Sequence, residues 1–373
     1  MVRIGLAGIG YVAEEYIKQI TSGLCPDLLV SAMCSRNCAH MEDVKDRYQL
    51  DARIFTDYEE MLSSGCIDAV AICTPHLMHI DMAIKAIRRG VHTLIEKPIG
   101  VFPQELDALS ECLQLHPEVV CGVLFCRRTS QAYTKLRQMI PQVGDIKRVT
   151  WIVTNMYRTQ AYHNSQSWRG TYRGEAGGML MTQTSHQLDL LVWLCGLPSA
   201  VQAHLNSGKE RRIEVENEAT IYLEYPNGAI GHFIADTHEV PGTCRLEIIG
   251  NLGQLILEGD RTLTWRKLEQ DEHDYAVNSP EIYGTIPWTE EVTVLDKREL
   301  ISEQAGILNN FASAVEHGTP LLCPAEAGIR TQRLIQAAYL SGWTGKKVFL
   351  PADGESFTAH LRSRMNGEGE TSV

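Results

Sequence analysis

The chain has 373 residues, 44% of them hydrophobic, too many for one ordinary core and apolar enough to fill two. Its 34 Lys and Arg against 46 Asp and Glu leave a formal charge of −12, whereas a phosphate backbone is bound through clustered cations, so no nucleic acid partner is expected. The 11 cysteines are scattered, several inside apolar runs such as Ala71-Ile72-Cys73, and read as small buried hydrophobes of a reducing compartment.

The start, Met1-Val2-Arg3-Ile4-Gly5, enters a strand pattern at once and carries no secretion signal, so the expected location is cytoplasmic. No apolar run approaches the roughly 18 residues of a membrane span, and no membrane partner is expected. Up to residue 124, short apolar runs alternate with segments of helical period, the pattern of repeated βαβ units. Strands are predicted at 2–7, 28–34, 69–73, 92–95 and 119–124, with helices at 13–21, 39–48, 58–62, 80–89 and 103–115. This half is expected to be an α/β, Rossmann-type, doubly wound parallel sheet.

After about residue 145 the pattern changes to alternating strands at 147–154, 200–206, 219–224, 229–235, 245–249 and 254–258. Pro226-Asn227-Gly228 is a tight-turn signal between two of them, and Asn251-Leu252-Gly253 resembles another. One apolar helix over 187–194 interrupts the strands and a late helix follows over about 325–342. The expectation is an α+β domain with a large, mostly antiparallel open sheet. The predicted division is 1–124 for the parallel-sheet domain, 125–350 for the antiparallel one, and 351–373 for a polar, disordered tail ending in Asn366-Gly367-Glu368-Gly369-Glu370.

Gly8-Ile9-Gly10-Tyr11-Val12-Ala13 follows the first strand and opens a helix, the context that gives a glycine pattern meaning. Gly8 permits the tight turn, Gly10 lets a pyrophosphate approach the backbone, and Ala13 allows helix to pack on strand. The first helical N–H groups, from Tyr11 and Val12 onward, then face the phosphates. The second strand ends in Met33-Cys34-Ser35-Arg36-Asn37, without the acid that would hold a ribose 2′-hydroxyl. Ser35 and Arg36 suit a 2′-phosphate and lean toward NADP, while Arg36 reads equally as a solvated helix-start residue and NAD stays open. Thr74-Pro75-His76, with His79, follows the third main strand and Glu96-Lys97-Pro98 the fourth. These are the carboxyl ends of strands, where open α/β sheets hold ligands.

With these residues, the chain resembles the Gfo/Idh/MocA oxidoreductases, named for glucose–fructose oxidoreductase, inositol dehydrogenase and a rhizopine catabolism protein. The resemblance runs through Glu96-Lys97-Pro98, Gly177-Gly178, His186-Gln187-Leu188-Asp189, Trp193-Leu194-Cys195-Gly196, Tyr225-Pro226-Asn227-Gly228 and Ala337-Ala338-Tyr339-Leu340-Ser341. It implies a two-domain enzyme passing a hydride between NAD or NADP and a secondary alcohol or ketone of a sugar, sugar derivative or cyclitol, with the active site between the domains. It also implies that Lys97 binds the reacting oxygen, that His186 exchanges the proton, and that the chain forms a homo-oligomer, a dimer or tetramer.

One departure stands at Thr182, where many sugar and inositol dehydrogenases of the family carry an Asp. A threonine cannot hold an imidazolium as a carboxylate does, which shifts weight to Lys97, with Gln183 or Tyr162 as assistants. On its own pattern His186 reads as well as a satisfied histidine at the start of a buried helix. Asp189 lies one turn away, but no third ligand is spaced for a metal, so none is expected. The loop from Tyr157 to Arg173 is dense in aromatic and cationic groups that suit a polar ring; Tyr162, Trp168 and Arg169 are its candidate substrate contacts, with a subunit contact as the competing reading. Arg127 and Arg128 follow the last strand of the first half, and Arg128 is a further substrate candidate. Two other functions fit the same scaffold: an NAD-retaining glycosidase that works by transient oxidation and elimination, and a non-catalytic dinucleotide-binding regulator.

Overall fold

A computed structural model describes residues 1–296 and 300–367. In chain order its strands are β1 (Val2–Ala7), β2 (Leu28–Cys34), β3 (Arg53–Phe55), β4 (Ala69–Ile72), β5 (His92–Ile95), β6 (Cys121–Val123), β7 (Ile146–Val153) and β8 (Ala200–Ser207). They continue with β9 (Glu216–Glu224), β10 (Ile230–Asp236), β11 (Cys244–Gly250), β12 (Gly253–Glu258), β13 (Thr262–Leu268), β14 (Trp288–Val294) and β15 (Val348–Phe349).

The first six strands form one sheet in the order β3-β2-β1-β4-β5-β6, every pair parallel. This is the doubly wound order, with its switch point between β1 and β4, beyond whose carboxyl ends such sheets hold their ligands. β1 and β4 are buried almost throughout, as strands covered by helices on both faces must be. Helix Tyr11–Thr21 turns Ala13, Tyr16, Ile17, Gln19 and Ile20 inward.

The other nine strands form a second sheet in the order β14-β13-β12-β11-β7-β10-β9-β8-β15. Every pair is antiparallel except β7 with β10. Pro226-Asn227-Gly228 makes the β9–β10 turn: Gly228 takes φ +86° and Asn227 Oδ1 accepts the Ala229 N–H at 3.1 Å. Trp151 and Phe233, both buried, meet edge to face at 6.3 Å in the core beneath this sheet.

The chain divides into two compact units, Met1–Thr129 with Arg298–Gln332, and Ser130–Lys297 with Arg333–Val373. The first therefore includes a late stretch that sequence reading places in the 125–350 region. The reason is apolar burial: Leu308, Phe311 and Ala312 of helix Leu300–His317, together with Ile329, complete the core around β1 and β4. The segment after Pro351 also departs from expectation. Instead of a disordered tail it forms helix Gly354–Met365, capped by Asp353 accepting the Ser356 N–H at 2.6 Å, with Phe357 and Leu361 buried one turn apart. Glu368, Gly369 and Glu370 lie outside the described residues. Phe357 stacks on Trp343 at 5.5 Å. Phe357→Ala is accordingly expected to cost about 3–5 kcal/mol in urea unfolding, where a loose tail would register under about 0.5 kcal/mol. Among the described residues no helix is long and apolar enough to cross a membrane.

Candidate active site

The first unit gathers the predicted cofactor residues at the carboxyl ends of its strands. Gly8 follows β1 at φ +87°, and a Cβ there would come within 2.9 Å of the Cys73 carbonyl and the Thr74 methyl. Only glycine serves both demands. At Gly10 a Cβ would meet nothing within 4 Å, so this backbone faces open space, and no side chain caps the helix that begins at Tyr11. Tyr11 and Val12 stand exposed at that helix start. Free N–H groups, the positive helix end and a Cβ-less approach together fit the pyrophosphate of a dinucleotide. Beyond β2, the Ser35 hydroxyl accepts the Asn37 N–H at 3.4 Å and Asn37 caps the next helix, leaving Arg36 exposed and, among the described residues, without an ion pair.

The loops after β4 and β5 are tied together by His79. Sequence reading places His79 among the cofactor contacts; in the structure its ring is 1% exposed and both nitrogens are engaged, Nε2 with the Thr74 carbonyl at 2.8 Å and Nδ1 with that of Pro98 at 2.9 Å. Burial pulls its pKa down and the carbonyls oppose this. His79 is thus a brace between Thr74-Pro75-His76 and the Glu96-Lys97-Pro98 turn. Glu96 likewise points inward: its carboxylate accepts the Lys97 N–H at 3.0 Å and the hydroxyl of buried Tyr16. Burial raises its pKa, against the pull of Tyr16 and Lys97. Lys97 itself is half-exposed, its backbone held on one side by Glu96 and on the other through the cis Lys97–Pro98 bond and His79. Arg128 is buried and donates to the Leu322 carbonyl at 2.8 Å, while Arg127 pairs with Glu303 at 3.3 Å. Both guanidiniums thus join structural contacts inside this unit.

The second unit gathers the predicted substrate residues other than Lys97 and Arg128. Tyr162 lies in the short helix Gln160–Asn164, and its hydroxyl accepts from Arg169 Nη1 at 2.7 Å and from Gln183 Nε2 at 3.3 Å. The Arg169 guanidinium lies 4.5 Å from the Tyr162 ring centre and 4.7 Å from that of Trp168. Thr182 turns its hydroxyl back to the Gly178 carbonyl at 2.8 Å, a bond a helix-end threonine makes readily. His186 lies half-buried in the first turn of helix Ser185–Cys195, with Asp189 fully buried one turn on. Among the described residues no three His, Cys, Asp or Glu side chains converge as a metal site.

Beneath this segment lies a group that sequence reading missed. The Glu216 carboxylate, 1% exposed, accepts the Gly178 N–H at 2.9 Å, the Leu180 N–H at 2.8 Å and the Tyr339 hydroxyl at 2.7 Å. Burial pushes its pKa up to about 7. The Gly177-Gly178 pair has a packing reason here: a Cβ on the first would overlap the Tyr339 hydroxyl, and one on the second the Glu216 carbonyl. Glu216 thereby pins the turn that leads through Thr182 and Gln183 to His186. Its strand carries Glu218 and Glu224 as well, so the sequence does not single Glu216 out.

The chain belongs to the Gfo/Idh/MocA oxidoreductase family: the family's "NAD-binding Rossmann fold" matches residues 2–124 and its "C-terminal alpha/beta domain" residues 137–350. Its first unit is thus a dinucleotide-binding domain, in keeping with the Gly8–Gly10 turn. Among relatives, it is 25% identical over 362 residues to scyllo-inositol 2-dehydrogenase (NADP(+)) IolW of Bacillus subtilis, covering 94% of this chain and 96% of that one. It is 29% identical over 261 residues to the scyllo-inositol 2-dehydrogenase (NAD(+)) of the same organism, covering 69% and 73%. Among solved structures, the WlbA dehydrogenase of Bordetella pertussis, in complex with NADH and UDP-GlcNAcA, shares the fold with a TM-score of 0.75 at 23% identity, covering 94% of this chain and 99% of that one.

Proposed function

We propose that this protein is an NAD(P)-dependent dehydrogenase of a sugar, sugar derivative or cyclitol secondary alcohol, in which Lys97 orients the reacting oxygen and His186 exchanges the proton. The observation that carries this reading is the fixed placement of Lys97, at the end of β5 of a dinucleotide-binding sheet and braced by Glu96, Tyr16 and His79. A lysine so held donates hydrogen bonds to an alcohol oxygen and stabilises negative charge as its proton leaves. When bound, the nicotinamide takes up or gives back the hydride. The remaining tasks fall to this chain: Lys97 fixes the oxygen, His186 takes the hydroxyl proton on a ring nitrogen as the carbonyl forms, and Tyr162, Trp168, Arg169 and Gln183 hold the ring. The names of the two Bacillus relatives support the substrate class and the use of either cofactor.

The test is a screen of free sugars, cyclitols and glycosides with NAD and NADP separately, following reduced nicotinamide by absorbance. Reduction with at least one polyol is the expected result. Cleavage of a glycoside with no reduction of either cofactor would replace this reading with the redox-assisted glycosidase. The same assay reads the 2′-phosphate contact proposed for exposed Arg36: Arg36→Ala is expected to raise the KM for NADP by about tenfold or more while moving that for NAD less than about threefold. Equal changes for both cofactors would remove Arg36 from the site.

A further inference from the structure

The loops of the second unit hold more positive charge than they neutralise. Arg158 and Arg169 lie against the ring of Tyr162, at 5.2 and 4.5 Å, and Arg211 lies 5.1 Å from the ring centre of Tyr157. Arg211 Nε donates to the Arg158 carbonyl at 2.7 Å, which joins the two loops. All three side chains are half-buried, yet among the described residues none has a carboxylate within ion-pair distance. In a chain with twelve more acids than bases, three guanidiniums left unneutralised together are out of keeping with the surroundings. The acids nearby are turned to other tasks: Glu175 accepts the Gly170 N–H at 2.6 Å and Glu214 the Tyr172 N–H at 3.2 Å.

A second observation is independent of the arginines' own contacts. His163 is 8% exposed, packs edge to face on Tyr162 at 5.1 Å, and has no hydrogen-bond partner at either ring nitrogen. Arg169 Nε and Arg211 Nη2 are also buried without partners. A buried polar atom left unmatched costs about 1–3 kcal/mol, so four such atoms in one place, three of them N–H donors when the imidazole is neutral, mark a spot completed by something else. Burial depresses the His163 pKa first, and the positive charges of Arg211, Arg169 and Arg158 lower it further. The site is therefore rich in donors, positive and short of acceptors. It is continuous with the substrate residues: the Tyr162 hydroxyl receives Arg169 on one side and Gln183 on the other.

We propose that the substrate is an anionic polyol, one bearing a carboxylate or phosphate, whose charged group is held by Arg158, Arg169 and Arg211 beside Tyr162 and His163; this rests on the dehydrogenase reading above. The guanidinium forks match either oxyanion, and the half-buried setting makes each charge-assisted bond stronger than at an open surface. Tyr162 carries the geometry from that anchor to Gln183, so the charge orients the polyol as well as binding it.

The experiment separates this inference from the reaction it rests on by reading binding without turnover. Glucose, glucuronate and glucose 6-phosphate are titrated into the protein by calorimetry at low and at high salt. At least one anion is expected to bind about tenfold or more tightly than glucose, with the advantage shrinking as salt rises. The carboxylate and phosphate arms show which oxyanion fits. Arg169→Gln and Arg211→Gln are expected to reduce the anion-to-neutral preference by about tenfold or more, and Arg211→Lys to retain part of it. Circular dichroism establishes that each variant is folded, and salt dependence on the unaltered protein serves where a variant is not. Equal binding of all three compounds, or binding of none, overturns the anionic substrate. Tight anion binding without cofactor reduction in any screen overturns the dehydrogenase reading and leaves the oxyanion site standing.

Discussion

Lys97→Ala is expected to lower kcat/KM by about a thousandfold or more while cofactor affinity falls less than about tenfold, because the lost group is the one proposed to act on the reacting oxygen. Its surroundings predict this split. Glu96 bonds the Lys97 backbone N–H and the Tyr16 hydroxyl, and His79 holds Pro98, so these backbone ties remain when the side chain beyond Cβ is removed. The dinucleotide contacts expected at Gly8 and Gly10 belong to a different loop, which the substitution leaves unchanged. Lys97→Arg is expected to recover little, since a planar fork cannot take the place of a compact ammonium on a flexible stem. Steady-state kinetics beside a fluorescence titration of reduced nicotinamide separates the two effects. Turnover close to that of the unaltered protein would rule out the proposed chemistry outright.

Glu216→Ala is the second large effect, an expected loss of about 3–5 kcal/mol in urea unfolding. The Leu180 N–H and the Tyr339 hydroxyl, both buried, would lose their shared acceptor. Glu216→Gln keeps the volume but sets an NH2 group against these donors, so an intermediate loss is expected, and its pH dependence is the sharper readout. The folded carboxyl titrates near 7, above its ordinary value of 4.5. Between those values the folded chain retains a proton that the unfolded chain has released. The stability this confers is complete below about pH 4.5 and is lost as pH climbs through 7, a fall of about 1–3 kcal/mol. Tyr339 and Tyr172, the other titratable groups coupled to Glu216, are both pushed upward and stay neutral across this window. The glutamine variant should show a flat profile where the unaltered protein declines. Parallel profiles would mean that Glu216 does not titrate there.

Much of the nucleotide-binding half was legible because its signals are local. A strand, a glycine turn and a helix succeed one another within twenty residues at Gly8, and Lys97 stands at a strand end where the fold puts chemistry. The bracing of Lys97 was not legible. Tyr16 and Glu96 are eighty residues apart and His79 bonds to backbone, so neither contact leaves a spacing in the chain. Glu216 belongs to the same class, since its partners are backbone N–H groups and a tyrosine 123 positions away. β14 escaped for a different reason: six of its seven residues are exposed, so no alternation of burial marks it. The terminal helix hid behind polar composition, although Phe357 and Leu361 carry the helical interval that betrays it. Arg211 escaped because its place beside Arg158 is set by two loops meeting, more than fifty residues apart.

The return of residues 298–332 to the first unit bears on how the protein is made. As the chain leaves the ribosome, the six parallel strands emerge first, yet Leu308, Phe311 and Ile329, which seal their core, arrive only after every strand through β14. The nucleotide-binding unit begins its folding early and finishes late. Synthesis halted anywhere between Thr129 and Leu300 would release a sheet with an open apolar flank, a substrate for chaperones and proteases. A domain dissection that cuts at the obvious sequence boundary would produce the same defective object.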